Sequence, residues 1–283
     1  MMKRRTILSL CLVFGILAGG AAAFAQFLPE ELAERAKWEE FLKTAEIVAS
    51  EQMTSGAVTN PWILTLKQGD ITKRALWKDV IGRPKGYVDS WMYEIAGYEL
   101  DKLLGLNMVP PTAERRFKEN RGSIVLWVDD TTTLKKLNEE KIKPPSYKLF
   151  YYNRSLYLQR AFDNLIGNED RHQDNYLLHT KDWRMFLIDH SRSFRSSGKF
   201  IKELNYTEKH KEGSKVVPMI MKELPKALYE KIKALTFEQI KGAVNDYLTD
   251  DEIKAVLIRK DLIIKEIEKL VAANGEENVL YEK

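Results

Sequence analysis

The sequence is poor in cysteine and histidine, and this scarcity excludes several kinds of site. Its 283 residues include one cysteine, Cys11, and four histidines. A disulfide framework and a paired Cys-x-x-Cys zinc site are therefore excluded, and no H-E-x-x-H motif supplies a zinc-binding helix. No G-x-S-x-G motif is present for an acyl-transfer serine. The fold must rest on the packing of apolar residues, which make up 44% of the chain.

A large excess of charge of one sign is also lacking. The formal net charge is +4, and without Lys3, Arg4 and Arg5 it would be +1. This small charge gives no reason to expect nucleic acid or an anionic membrane surface as a partner. We find no basic or amphipathic stretch typical of membrane docking. Contact with a membrane is therefore expected only through the first segment, if that segment is retained.

The first segment contains a short apolar run from Ile7 to Leu17, preceded by basic residues and followed by small ones. It ends in an A-x-A sequence just before Gln26, a pattern typical of a secretory signal peptide over residues 1–25. We therefore predict a mature chain that begins near Gln26 in an exported protein, periplasmic or secreted. An uncleaved membrane anchor is the alternative, although a spanning helix needs roughly 20 apolar residues.

Apolar periodicity predicts a mainly β first half with one amphipathic helix, followed by a mainly helical second half. That order favours an α+β fold with two lobes. We place the small lobe within residues 26–130 and the large lobe within residues 131–283, with a loop between the lobes over 141–145. The predicted helices cover 28–49, 88–104, 147–166 and most of the chain after 225; the predicted strands cover 61–67, 74–78, 122–128 and a hairpin within 177–188.

A polar loop follows the predicted helix 147–166 and carries a D-x-x-x-x-N spacing from Asp170 to Asn175. Asp189 comes shortly afterwards, at the end of an apolar strand. Carboxylate and amide oxygens are suitable ligands for Mg²⁺. Phosphoryl transfer needs such ligands, a carboxylate that orients the attacking hydroxyl, and a lysine for the phosphates. A charged surface loop is the alternative, but the second Asp after the hairpin favours a phosphotransfer site.

The run Asp170-Arg171-His172-x-x-Asn175, followed by Ile188-Asp189, resembles the catalytic core of the atypical kinases. These include the phosphatidylinositol 3- and 4-kinase catalytic domain, the HipA-type kinases and the four-jointed-type secretory kinases. The resemblance covers roughly residues 45–275 and implies a two-lobed kinase-like fold that uses ATP with Mg²⁺ or Mn²⁺. It also implies that Asp170 is the catalytic base, that Asn175 and Asp189 bind metal, and that His172 lies near the transferred phosphate.

The resemblance is less specific in the first half of the chain. Lys78 lies on a predicted strand and resembles the nucleotide-phosphate lysine of kinases. Glu94 on the following helix is the candidate ion-pair partner of Lys78, and Glu99 on the same helix is the alternative. Gly56 is the candidate for the glycine turn that covers the phosphates, with the turn at Gly69 as the alternative.

The sequence departs from the protein-kinase pattern at Ser191, where a glycine usually follows the metal Asp by two places. This departure leaves the behaviour of the segment after Asp189 open. We predict an ATP- and metal-dependent phosphotransferase that acts on a protein or small-molecule hydroxyl; a lipid headgroup is less favoured. An exported pseudokinase that keeps the fold without phosphotransfer is the alternative, because ATP is scarce outside the cytoplasm. A structural or adaptor protein is a third possibility.

Overall fold

A computed structural model describes residues 26–54, 59–84, 88–212 and 214–282. The predicted signal peptide and Gly56 lie outside these residues. The predicted α+β fold with two lobes is confirmed: a five-stranded sheet forms the small lobe and helices form most of the large lobe. Within the described residues, no helix is both long and apolar enough to cross a membrane.

The small lobe is an antiparallel sheet with the strand order β1-β2-β3-β7-β6. Leu64, Leu66, Trp77 and Ile124 alternate with more exposed neighbours along their strands, so the sheet has one apolar face. Phe41 from the preceding helix packs on this face. The five strands are β1 Glu46–Gln52, β2 Trp62–Gln68, β3 Ile71–Lys78, β6 Thr112–Phe117 and β7 Asn120–Leu126.

The helix predicted over 28–49 is wrong in its last part. The structure has α1 Pro29–Ala33 and α2 Arg35–Thr44, and then the edge strand β1. The backbone leaves the helical region at Ala45, which has φ −59° and ψ 143°. Residues after Ala45 pair antiparallel with β2 instead. Tertiary pairing with an open sheet edge has overridden the local apolar spacing.

Helix α3 (Trp91–Leu104) follows the short ribbon β4 Ile81–Gly82 and β5 Asp89–Ser90. Ser90 caps its first turn by accepting a hydrogen bond from the Met92 N–H at 3.2 Å. Gly105 ends it in the left-handed region, as the sequence predicts for a C-cap glycine. Although α3 lies between small-lobe strands in sequence, its apolar face belongs to the core of the large lobe.

The large lobe is built around two long helices, α5 Leu149–Ile166 and α8 Asp250–Asn274. The predicted hairpin is present as β9 Tyr176–His179 and β10 Met185–Leu187. Two elements that the sequence analysis did not predict come before the predicted inter-lobe loop. They are the strand β8 Thr131–Thr133, which pairs with β9, and the helix α4 Leu134–Glu139. The remaining elements are α6 Lys226–Ala234, α7 Phe237–Val244, α9 Glu276–Val279, and the two-stranded ribbons β11 Lys211–Glu212 with β12 Lys215–Val216 and β13 Leu224–Pro225 with β14 Leu280–Tyr281.

A buried carboxylate joins α3 to the hairpin of the large lobe. Oδ1 of Asp101 accepts hydrogen bonds from the backbone N–H groups of Met108 at 2.8 Å and Val109 at 3.3 Å. The Met108 carbonyl in turn accepts from the Leu187 N–H at 2.9 Å, two residues before Asp189. Asp101 is fully buried, and this burial raises the pKa of its carboxyl to about 7.

Asp101 should therefore make stability depend on pH. A carboxyl whose pKa is raised by folding favours the folded state below its unfolded pKa, and this contribution is lost as pH rises toward 7. Replacement by asparagine removes the charge and keeps an acceptor oxygen. We compare the free energy of unfolding of Asp101→Asn with that of the parent. We predict that this difference shifts in favour of the variant by about 2–3 kcal/mol when the pH is raised from 5 to 8. Urea denaturation at both pH values measures it, with the exposed Asp70→Asn as the control; an equal difference at both pH values contradicts the prediction.

Candidate active site

A buried lysine joins the two lobes at the candidate site. Lys78 at the end of β3 is 7% exposed, and its Nζ lies 2.7 Å from Glu94 Oε1 and 2.8 Å from Asp189 Oδ1. The predicted ion pair between Lys78 and Glu94 is therefore confirmed. The alternative partner, Glu99, pairs instead with Lys102 at 3.0 Å.

The electrostatics of this cluster keep both members of the pair charged. Burial alone would lower the pKa of Lys78, but Asp189 and Glu94 hold it above its usual value. Burial would also raise the pKa of Glu94, yet the Lys78 charge and the His190 hydrogen bonds hold it well below its usual range. The second Glu94 oxygen accepts a hydrogen bond from the His190 N–H at 2.9 Å. Glu94 thus fixes both the lysine and the backbone just after Asp189.

Close packing of α3 against His190 supports this arrangement. Gly97 lies one turn after Glu94, and a Cβ atom at this position would be 3.2 Å from Cγ of His190. That distance is tighter than ordinary van der Waals contact. A glycine at position 97 therefore leaves room for the His190 side chain to pack against the helix that carries Glu94.

Asp189 adopts a backbone conformation that is rare for residues other than glycine. Its φ is 62°, in the left-handed region, and such strained residues cluster at functional sites. The Ser191 hydroxyl donates a hydrogen bond to Asp189 Oδ1 at 3.0 Å. Ser191, which departs from the protein-kinase pattern, therefore helps to orient the Asp189 carboxylate. The Asp189 side chain is 36% exposed, in contrast to the 7% of Lys78.

The loop that carries the other predicted residues is held by a buried ion pair that the sequence analysis did not identify. Arg171 donates to Asp163 on α5 through Nε at 2.9 Å and through an Nη atom at 3.0 Å, and both side chains are fully buried. The other Nη atom donates to the carbonyl groups of Asn175 at 3.0 Å and Ile188 at 2.5 Å. One guanidinium therefore connects α5, the loop and the segment that leads to Asp189.

Asn175 is oriented so that its amide oxygen is available for another ligand. Its Nδ2 donates to the Asp170 carbonyl at 2.9 Å, which uses the amino side of the amide. The backbone carbonyl of Asn175 accepts from the Ile188 N–H at 3.2 Å, so Asn175 and Asp189 lie on neighbouring segments. Asn175 is buried, with 3% exposure.

Asp170 is held by an arginine and an aspartate that the sequence analysis also did not identify. One Nη atom of Arg192 lies 3.1 Å from Asp170 Oδ2, and Arg192 Nε lies 3.3 Å from Asp89 Oδ2. Asp89 belongs to β5, so the contact links the loop to the small-lobe side. Burial raises the pKa of Asp170, and the nearby charges of Arg192 and His172 oppose that rise. Arg192 is therefore a candidate positioning residue for Asp170.

His172 occupies the rim of the site. Its side chain is 53% exposed, and Nδ1 lies 3.8 Å from Asp174 Oδ2. The structure thus brings His172 within electrostatic reach of Asp170 but not into the cluster around Lys78. The predicted role of His172 near a transferred phosphate stays a prediction, as do the roles of Asp170, Asn175 and Asp189.

The donor set suits a hard divalent cation that keeps several ligands from water and phosphate. Asp189 and Asn175 offer one carboxylate and one amide oxygen, and Mg²⁺ is commonly bound by one or two protein carboxylates together with substrate phosphates. Among the described residues, no group of three or more His, Cys, Asp or Glu side chains is arranged to hold a metal ion. Two oxygen donors of this kind fit a metal ion that takes its other ligands from phosphate and water.

Comparisons with known proteins agree with this geometry at the level of the fold. No protein-family model matches the chain, and no curated protein is similar to it in sequence. The structure is similar to that of hydra Fam20 with sugar, with a TM-score of 0.63, 17% identity, and coverage of 92% of this chain and 95% of that chain.

It is also similar to the Golgi casein kinase, with a TM-score of 0.62, 15% identity, and coverage of 91% and 79% of the two chains. The Golgi casein kinase with Mn and ADP bound gives the same TM-score at 16% identity, with 91% of this chain and 80% of that chain covered. The protein therefore has the two-lobed fold of the atypical kinases, as the resemblance in sequence implies.

The ion pair between Arg171 and Asp163 should be essential to stability. Removing one partner leaves an uncompensated charge in a fully buried position, which typically costs about 3–5 kcal/mol. We predict a loss of that size in the free energy of unfolding for Arg171→Gln, measured by urea denaturation. Arg121→Gln is the matched control, because Arg121 binds Glu114 through two nitrogen atoms but is 55% exposed. Its cost should be much smaller, because exposed ion pairs contribute little to stability; equal costs for the two variants contradict the prediction.

Proposed function

We propose that the protein is an ATP- and divalent-metal-dependent phosphotransferase that transfers the terminal phosphoryl group to a hydroxyl of a protein or small molecule. The observation that carries this proposal is the contact of buried Lys78 with both Glu94 and Asp189. A lysine held between Glu94 on α3 and the strained Asp189 is suited to binding nucleotide phosphates. The similarity in fold to a kinase solved with Mn and ADP supports the same proposal.

In this proposal Lys78 binds the phosphates of ATP. An ammonium group has three donors, of which Glu94 and Asp189 take one each, so one donor remains for a phosphate oxygen. Glu94 fixes the position of the lysine. The glycine turn predicted from the sequence at Gly56 is proposed to cover the phosphates with its amide groups.

Asp189 and Asn175 would hold Mg²⁺ or Mn²⁺ through a carboxylate and an amide oxygen. The bound ion neutralises the negative charge of the phosphates. The hydrogen bond from Ser191 to Asp189 and that from Asn175 to the Asp170 carbonyl keep both ligand oxygens in place. These side chains therefore need little rearrangement to receive a nucleotide with its ion.

Asp170 would act as the base for the acceptor hydroxyl. The acceptor oxygen forms a bond to the terminal phosphorus of ATP, the bond from that phosphorus to the bridging oxygen breaks, and ADP leaves. The proton of the hydroxyl passes to the Asp170 carboxylate. The raised pKa of Asp170 makes it a better proton acceptor than an exposed carboxylate.

The acceptor and the location belong to the proposal as well. Chains similar in fold include a Golgi casein kinase and a hydra Fam20 with sugar, which supports a hydroxyl on either a protein or a sugar-like small molecule. We further propose that residues 1–25 direct export to the periplasm or the exterior. The division into lobes at 130 and 131 is proposed to separate nucleotide binding from acceptor binding.

The different roles of Asp189 and Asp170 predict different defects. Asp189→Ala should lose metal-dependent binding of ATP as well as phosphotransfer, because it removes the only carboxylate ligand proposed for the ion. Asp170→Ala should bind ATP like the parent and lose roughly 10²–10⁴-fold in phosphotransfer. Calorimetric titration with ATP and Mn²⁺ measures binding, and radiolabel transfer from ATP to casein, to a panel of sugars or to the protein itself measures turnover.

Asp174→Ala is the matched control, since Asp174 lies in the same loop and its side chain is 44% exposed. It should leave binding and turnover unchanged. If Asp189→Ala and Asp170→Ala both behave like the parent, the assignment of the site is wrong. If the parent binds ATP with metal and transfers nothing to any of these acceptors, the pseudokinase alternative replaces the enzyme.

A further inference from the structure

The beginning of α5 exposes a group of aromatic side chains that the predicted apolar helix would have buried. Tyr147 is 74% exposed, Phe150 is 53% exposed and Tyr151 is 65% exposed. The first fully buried side chains of α5 come later, at Ser155 and Leu158. The first turn of the helix therefore faces solvent, although its composition is that of a core.

These aromatic residues form one surface rather than scattered exposures. A 3-10 turn over Ser146–Lys148 leads directly into α5, so Tyr147, Phe150 and Tyr151 stand at helical i, i+3 and i+4 positions on one face. The rings of Phe150 and Tyr151 are 5.6 Å apart, edge to face. One turn further on, the Arg154 guanidinium lies 4.1 Å from the centroid of the Phe150 ring.

Within the segment 141–152 the charged residues are all lysines. The nearest carboxylates in sequence are Glu139 and Glu140, and Glu223 pairs with Arg154 at 2.9 Å. Lys141, Lys143 and Lys148 lie in the same segment, and residues 141–152 contain no aspartate or glutamate. Lys141 and Lys143 are exposed, and Lys148 is partly exposed. We call the three aromatic residues Tyr147, Phe150 and Tyr151 together with these three lysines the aromatic–lysine patch.

The composition of the patch distinguishes between two kinds of partner. Protein interfaces favour aromatic residues but are depleted in lysine, whereas aromatic residues flanked by lysine are typical of the boundary between water and lipid. Tyrosine can place its apolar ring below the lipid headgroups while its hydroxyl group stays hydrated. Clustered lysines are attracted to anionic lipid.

We propose that the aromatic–lysine patch binds the surface of a membrane that contains anionic lipid. This contact is peripheral, and it adds a membrane surface to the partners expected from the sequence. Fifteen residues of helix α5 lie between Tyr151 and Gly167, a length of about 23 Å. The loop that carries Asp170 follows the other end of the same helix, so the patch and the candidate site lie at opposite ends of α5. The proposal does not depend on the proposed function.

A local fluorescence probe can test this contact in the full chain. Ser146→Cys places a thiol inside the patch without removing an aromatic residue or a lysine, and Cys11→Ser removes the only natural cysteine. The thiol is labelled with an environment-sensitive nitrobenzoxadiazole group, and vesicles of phosphatidylcholine with phosphatidylglycerol are added. We expect a blue shift and a rise in emission that saturates with lipid, and that weakens in vesicles of phosphatidylcholine alone or at 1 M salt.

Matched variants separate the patch from general adhesion. A label at Ser50→Cys, on the exposed edge strand β1, should not respond to the vesicles. Lys143→Ala combined with Lys148→Ala should lower the partition coefficient roughly 25-fold, at about fivefold for each lysine. The exposed pair Lys67→Ala and Lys265→Ala should leave the coefficient unchanged.

Three results would overturn the proposal. The first is no response of the label at position 146 to anionic vesicles. The second is an equal response at position 50, which would indicate general adhesion. The third is a response that depends on protein concentration without lipid, together with a dimer in light scattering, which would assign the patch to a second copy of the chain.

Discussion

The arrangement of the candidate site depends on one buried guanidinium. Arg171 uses its donors on the Asp163 carboxylate and on the carbonyl groups of Asn175 and Ile188. These groups lie on a helix, on the loop that follows it and on the segment before Asp189. Because a buried charge is very costly without partners, the three segments must stay together for the protein to remain folded. The geometry of the site is therefore coupled to the stability of the large lobe.

The small lobe joins this framework through Lys78 and Glu94. Helix α3 carries Glu94 but contributes Ala96, Tyr98 and Leu100 to the large-lobe core. The Tyr93 hydroxyl, next to Glu94, also hydrogen-bonds Glu252 on α8. A helix anchored in this way cannot easily swing away from the cleft. The contacts of Glu94 with Lys78 and with the His190 backbone consequently hold β3, α3 and the segment after Asp189 in fixed relative positions.

Sequence alone predicts those parts of the structure that are encoded by local patterns. The capped helix α3 and the hairpin β9–β10 follow from apolar spacing and a C-cap glycine, and the pair Lys78–Glu94 follows from the resemblance to kinases. Strand β1 was assigned to a helix because its apolar residues continue the helical spacing of α2. The exposure of Tyr147 and Phe150 could not be predicted for a similar reason. An apolar pattern does not show which turns of a helix pack against the rest of the protein.

The contacts around Asp170 could not be predicted from local sequence. Arg192 and Asp89 are 103 residues apart, and nothing in either segment specifies their meeting. Arg171 stands inside the predicted motif, but the motif does not specify that its side chain is buried against Asp163. Its partner Asp163 lies on a helix whose spacing indicated only a core. Such residues become visible once the fold brings separate segments together.

The central claim is that Asp189 and Asn175 share one divalent ion beside a phosphate bound by Lys78. Crystals of the protein grown with Mn²⁺ and a non-hydrolysable ATP analogue, measured at the manganese absorption edge, test it directly. We predict an anomalous peak about 2.0–2.3 Å from a carboxylate oxygen of Asp189 and from the amide oxygen of Asn175, with Lys78 Nζ on a phosphate oxygen. A nucleotide bound elsewhere, or manganese that contacts neither residue, would contradict the account.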